Sequence, residues 1–329
     1  MLADTKGVGE WGFAALVEAD GHRLLFDTGA RPGTLLANAR ELGINLAGVT
    51  DVVLSHHHGD HTGGLLTLRR ELAKENPKAL SRCYVGPGIF LGCPRVDGSE
   101  SNETIALKGA SEATGGGFVE IVKPTEIFPG AWLTGPVPRT HPERNWSGRG
   151  KINTGGGLVE DTIPEDVSLV IDTDRGLVIV SGCGHAGVVN TLEFARKTVR
   201  AAPVHAAVGG FHLFAADEAT LDWTAGKLRE MGVANLLGAH CPLHGDRSGL
   251  RVARAAGPGP AHVRCRRGGL RLRPGGRHPA RCNRTLTRMS SGLSLPAAMA
   301  LLIEACQLRS RATKALVTNA TDGAPLARL

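Results

Sequence analysis

Between residues 54 and 65 the chain reads LSHHHGDHTGGL, placing His56, His57, His58, Asp60 and His61 within six positions. Imidazole and carboxylate groups bind divalent ions such as zinc, with donor atoms at about 2.0–2.2 Å. Side chains in an extended segment alternate sides, so His56 and His58 face one way and His57 the other. A turn at Gly59, into a helix beginning near Thr62, then brings Asp60 and His61 toward a second ion beside the first. The segment thus offers two ligands to each of two metals. Adjacent ions suit hydrolysis and related displacements, because they activate water at neutral pH and offset negative charge on the attacked group. A solvated His-rich loop would bind metal only adventitiously. The interleaved aspartate, the apolar run VTDVVLS before the cluster and the Gly-Gly step after it favour a built site.

Such ligands need a frame. GFAALVEA and HRLLFDTG flank Asp20-Gly21, a hairpin turn signal. GTLLANARELG and GGLLTLRRELAKENP carry helical apolar spacing, the first ending at glycine and the second stopping before Pro77. Strands are expected at RCYVG, FVEIV, AWLTG, VSLVIDT, GLVIVSG and VHAAVGG. Helices are expected at GVVNTLEFARKTVRAA and DEATLDWTAGKLREMG. Hairpins early and strand–helix alternation late fit two packed sheets with helices outside. Residues 135–160 lack apolar periodicity and read either as a lid or substrate loop or as a disordered excursion.

The chain of 329 residues carries a formal net charge of +7, unevenly spread. Residues 242–329 hold 16 Lys and Arg against three acids, a net +13, which leaves residues 1–241 at −6 from 22 bases and 28 acids. The front three quarters resemble an ordinary, slightly acidic soluble enzyme. Seven cysteines, odd in number and without a C-x-x-C pair, read as reduced thiols. With no basic-then-apolar leader and no apolar run long enough to span a bilayer, a cytoplasmic protein without a membrane partner is expected.

The pattern H-x-H-x-D-H behind a hydrophobic strand, with LLFDTG and its Asp27 upstream, resembles the metallo-β-lactamase superfamily. The resemblance implies an α/β fold, a four-layer αββα sandwich with metals at one edge of the two sheets. It does not imply lactam hydrolysis, since fold and activity are separable. SGCGHAGVVNTL (181–192), VGGFHL (208–213) and LLGAHC (236–241) occur in that order, behind LTGPVPRTHPERN. Together they resemble the branch that includes 7,8-dihydropterin-6-methyl-4-(β-D-ribofuranosyl)aminobenzene-5′-phosphate synthase, over roughly residues 5–241.

That branch implies two divalent ions, zinc by default, with iron or manganese suited to the same ligands. His56 and His58 would hold one ion, Asp60 and His61 the other, and His185 and His240 would complete the set. Asp60, His185 and His212 would stand nearest the chemistry, His212 as a substrate contact or outer ligand. Asp27 would orient a ligand histidine rather than bind metal. His57 falls outside the ligand set, and His141 reads as solvated surface or a phosphate contact. Many members place a bridging aspartate after the later strand, where this chain has SGCGH. Cys183 there reads either as a thiolate ligand or as a buried small residue. Gly184 replaces the branch's usual serine.

The expected activity is that of a metallo-hydrolase-type enzyme on a phosphorylated or otherwise anionic small molecule, by hydrolysis or by a pterin-pyrophosphate-using synthase reaction. The rivals are a nuclease that binds RNA or DNA through the basic tail, and an inactive metal-binding relic. A catalytic domain is expected over 1–245 and an irregular Arg/Gly/Pro-rich segment over 246–329. That segment reads as an out-of-frame or disordered stretch, with one terminal helix over SLPAAMALLIEACQLRS, or as a nucleic-acid tail. Its lack of interleaved aromatics weakens the tail reading.

Overall fold

The computed structural model describes residues 7–146, 148–213 and 216–238, and the backbone alone of 239–240, 298–307 and 311–320. Strands β1 (Phe13–Ala19) and β2 (His22–Phe26) form the expected hairpin, with Ala19 opposite His22. Asp20 (φ 48°) and Gly21 (φ 81°) both take the left-handed conformation that a two-residue turn of this twist demands. Helix α1 (Thr34–Glu41) leads to β3 (Asp51–Leu54). The short α2 (Gly59–Thr62) and α3 (Leu65–Leu72) lead to β4 (Arg82–Val85), and α4 (Thr104–Glu112) leads to β5 (Gly117–Glu120). Strands β2 to β5 run parallel and in order, each joined to the next by a helical crossover.

The second sheet begins with the antiparallel β6 (Thr125–Phe128) and β7 (Ala131–Leu133). A small separate hairpin of β8 (Lys151–Asn153) and β9 (Leu158–Glu160) precedes β10 (Ser168–Thr173) and β11 (Gly176–Ser181). Helix α5 (Val188–Thr198) crosses to β12 (Val204–Gly210), and α6 (Glu218–Glu230) crosses to β13 (Asn235–His240). The sheet order is β13-β12-β11-β10-β7-β6.

Strand alternation builds the layers. In β10 and β11, Leu169, Ile171, Val178 and Val180 join the core that also holds Phe13, Phe26 and Val53, which share one face of the first sheet. Val170, Leu177 and Ile179 point the other way, onto Val189 and Leu192 of α5 and Leu221 and Leu228 of α6. Leu65, Leu68 and Leu72 recur at helical spacing along α3 and join the first core. The result is the four-layer αββα sandwich.

Strands β14 (Ala298–Gln307) and β15 (Arg311–Ala320) pair antiparallel, and β15 lies along β1. A terminal helix is expected from the sequence there. A short apolar run does not separate helix from strand by periodicity alone, and the edge of β1 supplies backbone partners. The expected boundary near residue 245, and the tail or frame-shift reading of residues 246–329, fall largely on residues outside the described ones. Among the described residues, no helix is long and apolar enough to cross a membrane.

The Gly63-Gly64 step sets how closely the α2–α3 corner approaches the loop after β2. A Cβ at Gly64 would lie 2.2 Å from the Thr28 carbonyl oxygen, and one at Gly63 2.0 Å from that of Ala30. Gly64→Ala is therefore expected to cost about 1–3 kcal/mol as overpacking. Thermal unfolding of the metal-free protein checks this; an unchanged midpoint would show that the corner can relax.

Candidate metal centre

The histidines lie beyond the carboxyl ends of parallel strands, where α/β sheets commonly build ligand sites. Asp27 follows β2, Ser55 to His58 follow β3, Cys183 and His185 follow β11, and His212 follows β12. Asp60 and His61 sit on α2, which starts at Gly59, three residues before the expected start near Thr62. Extended backbone at His58 turns directly into that helix.

One carboxylate organises both halves of the cluster. Asp27 is fully buried; its Oδ1 accepts the Ser55 backbone N–H at 2.7 Å, and its Oδ2 accepts the Ser55 hydroxyl at 2.8 Å. His61 Nδ1 stands 2.7 Å from the same Oδ2. His56 Nδ1 is 2.9 Å from the Ser55 oxygen, whose own proton goes to Asp27. The network therefore places the protons of both His56 and His61 on Nδ1 and turns a bare Nε2 inward. Gly182 leaves room for this arrangement, since a Cβ there would lie 2.1 Å from Ser55 Oγ. Asp27 holds φ 59°, a left-handed backbone seldom taken outside glycine, asparagine and aspartate.

His185 is set from the other sheet. Its Nδ1 donates to the Asn145 carbonyl oxygen, while the Asn145 amide donates to the Phe211 carbonyl at 2.9 Å. Its buried Nε2 has no hydrogen-bond partner among the described residues. His56 Nε2 and His58 Nδ1 approach to 3.0 Å, so the two nitrogens must share a proton or a cation. His61 Nε2 lies 3.2 Å from Cys183 Sγ and 3.8 Å from Asp60 Oδ2. The donors fall into two adjoining groups that share a sulfur: His56, Cys183 and His185, and Asp60, His61 and Cys183.

Electrostatics match this use. Burial, followed by the neighbouring imidazoles, holds His56 and His185 well below the usual histidine range. Burial and the charge of His57 bring His58 down to about 4. All three are neutral near pH 7, the state in which imidazole binds metal. Orphaned nitrogen, neutral rings and a converging carboxylate and thiol make a donor set that fits divalent ions.

Other expected site residues have defined places. His240 ends β13, and its side chain lies outside the described residues. The His212 ring is half-buried, 4.7 Å from that of His185, on a left-handed backbone of φ 45°. His57 points away from the cluster: its Nδ1 meets Glu165 at 2.6 Å. Burial opposes its charged form, but hydrogen bonds and charges from Cys93 and Glu165 outweigh that and raise it to about 10. His141 pairs with Glu193 at 2.9 Å, at the partly exposed edge of α5. Cys183 belongs to both donor groups, which favours the ligand alternative over the small-residue one. Nothing in the sequence pattern singles out Asn145 or Ser55.

The described residues of the irregular insert dock on α5 and on the loop that carries His185. Glu143 Oε1 and Oε2 accept the Val189 and Asn190 backbone N–H groups, satisfying the first turn of α5. Arg139 donates to the carbonyl oxygens of His185 and Thr162 and stacks on Trp146, 4.7 Å from the ring centre. The insert thus positions His185, and the disordered-excursion reading is set aside.

Residues 12–199 match the family model of the metallo-β-lactamase superfamily. The chain is 31% identical over 243 residues to the 7,8-dihydropterin-6-methyl-4-(β-D-ribofuranosyl)-aminobenzene-5′-phosphate synthase of Methanocaldococcus jannaschii, covering 70% of this chain and 80% of that one. An uncharacterized protein of the same organism, MJ0448, is 29% identical over 210 residues, 63% of this chain and 75% of that one. Among solved structures, Tm1679, a metal-dependent hydrolase of the β-lactamase superfamily, matches with a TM-score of 0.58 at 26% identity, covering 74% of this chain and 93% of that one. Fold, family model and curated relative agree: the chain belongs to the metallo-β-lactamase superfamily.

Proposed function

We propose that this chain is a dinuclear metal-dependent enzyme that joins a pterin pyrophosphate to an aromatic amine carrying a ribose phosphate. The observation that carries the reading is the convergence of His56, His58, Asp60, His61, Cys183 and His185 with their ligand atoms turned inward. The 31% identical synthase supplies the substrate class. His56, His58 and His185 would hold one ion and Asp60 and His61 the other, with Cys183 and His240 as further ligands. Bound there, divalent ions supply positive charge that stabilises a departing pyrophosphate.

The reaction balances without redox chemistry. The amine nitrogen forms a bond to the pterin methylene carbon, the carbon–oxygen bond to pyrophosphate breaks, and the amine loses one proton. His212, whose ring lies 4.7 Å from that of His185, would take that proton. Its left-handed backbone is a strain that surrounding structure must hold, as at many functional sites. The chain's own work is otherwise orientation: Asp27 and Ser55 fix two imidazoles, and Asn145 fixes a third.

Simple hydrolysis is the second reading, favoured by the match to Tm1679. One assay separates them. The metal-loaded full-length protein is incubated with the dihydropterin pyrophosphate, with and without the aminobenzene ribose phosphate. Amine-dependent pyrophosphate release with a coupled product is the expected result. Release that ignores the amine would establish the hydrolase. A loaded protein that turns over neither these nor phosphoester and lactone substrates would overturn the enzymatic reading.

A further inference from the structure

On the far side of the His56–His58 segment stands a second cluster of metal-binding side chains. His57, Cys93 and Asp161 are each less than a tenth exposed. They come from three separate segments: the end of β3, the loop after β4, and the end of the β8–β9 hairpin. His57 Nε2 lies 3.7 Å from Asp161 Oδ2 and 4.0 Å from Cys93 Sγ, and Cys93 Sγ lies 3.9 Å from Asp161 Oδ2.

These separations are too long for good hydrogen bonds between nitrogen and oxygen, which cluster near 2.9–3.0 Å. They are nearly equal, which direct pairing does not require. A point equidistant from the three atoms lies about 2.2 Å from each, within the ~2.0–2.3 Å that zinc takes to nitrogen, oxygen and sulfur. The opposite ring nitrogen of His57 is held by Glu165 at 2.6 Å, the outer carboxylate that metal-bound histidines usually have; Glu165 and Cys93 favour the charged ring, so an ion binding at Nε2 would displace the proton held there. Glu165 also accepts the His57 backbone N–H at 3.2 Å, fixing ring and main chain together.

We propose that His57, Cys93 and Asp161 bind a third divalent ion, chemically best matched by zinc, which clips the β8–β9 insert to the sheet end beside the catalytic pair. The mixed nitrogen, sulfur and oxygen donor set suits zinc and disfavours magnesium or calcium, which take oxygen alone. Its burial, with each side chain less than a tenth exposed, favours a structural ion over a reacting one. Its consequence is local: the insert that carries Glu143 and Asn145 is tied down at Asp161.

The test uses the full chain purified under reducing conditions and loaded with zinc. Anomalous difference maps collected above and below the zinc edge are expected to show a peak among the three side chains, apart from those at the His56 and His61 groups. A loaded crystal with no such peak overturns the proposal. In solution, Cys93→Ser is expected to lose about one ion per chain by elemental analysis, and Asp161→Asn, which keeps the side-chain shape, is the control should the serine variant fail to fold. Unchanged zinc content in a folded variant also overturns it. The Asp60→Ala, His61→Ala double variant should keep this ion, so failure here is distinguishable from failure of the catalytic assignment.

Discussion

Replacing Asp60 and His61 together by alanine is expected to remove about one ion per chain from the catalytic centre and to lower turnover by more than the ~10–100-fold that loss of an outer partner costs. The expectation rests on geometry. His61 Nε2 and the Asp60 carboxylate stand 3.8 Å apart and share Cys183 with the other group. Removing both leaves His56, His58 and His185 intact, so one ion should persist in that centre. Elemental analysis of the two proteins, loaded and dialysed together, checks the count. Equal metal content in both would sink the two-ion assignment.

The second large effect is at Asp27, which touches no substrate. Asp27→Ala strands three buried donors: the Ser55 N–H, the Ser55 hydroxyl and the His61 ring N–H. At roughly 1–3 kcal/mol for each unsatisfied group, the loss should exceed about 3 kcal/mol. Asp27→Asn is the informative partner. Asparagine tolerates the left-handed φ of 59° and keeps one accepting oxygen for the Ser55 backbone. Its amide would then face His61 Nδ1 as a donor and push the ring proton to Nε2, where a metal needs a lone pair. The asparagine variant should melt closer to wild type and still bind metal at least about 10-fold more weakly. Wild-type metal affinity in a folded Asp27→Asn protein would exclude tautomer control by this carboxylate.

Legibility in the sequence depends on how far apart the partners lie along the chain. The 56–61 cluster is readable because its ligands are local and strand-turn-helix geometry orients them. The β1–β2 hairpin is readable because Asp20-Gly21 permits few turns. Cys183 is ambiguous from sequence, because its closeness to His61 depends on two sheets meeting, and the residues lie 122 positions apart. His57, Cys93 and Asp161 are invisible as a group for the same reason. Their meeting requires the β8–β9 hairpin, which lacks apolar alternation and is largely exposed, so no periodicity announces it. Helix α4 escapes a sequence reading because only Thr104 and Ser111 of it are buried, which leaves no apolar stripe to detect.

The bond that steadies His185 comes from the backbone oxygen of residue 145, not from a side chain. No replacement at that position deletes the acceptor itself, so a change of side chain there reaches His185 only through the bonds the Asn145 amide makes. The ligand is exposed instead to changes in spacing. Adding or dropping one residue between Glu143 and Asn145 would carry the acceptor out of register while Glu143 stays anchored on α5. Natural variation in this segment should therefore accept new letters far more readily than new lengths.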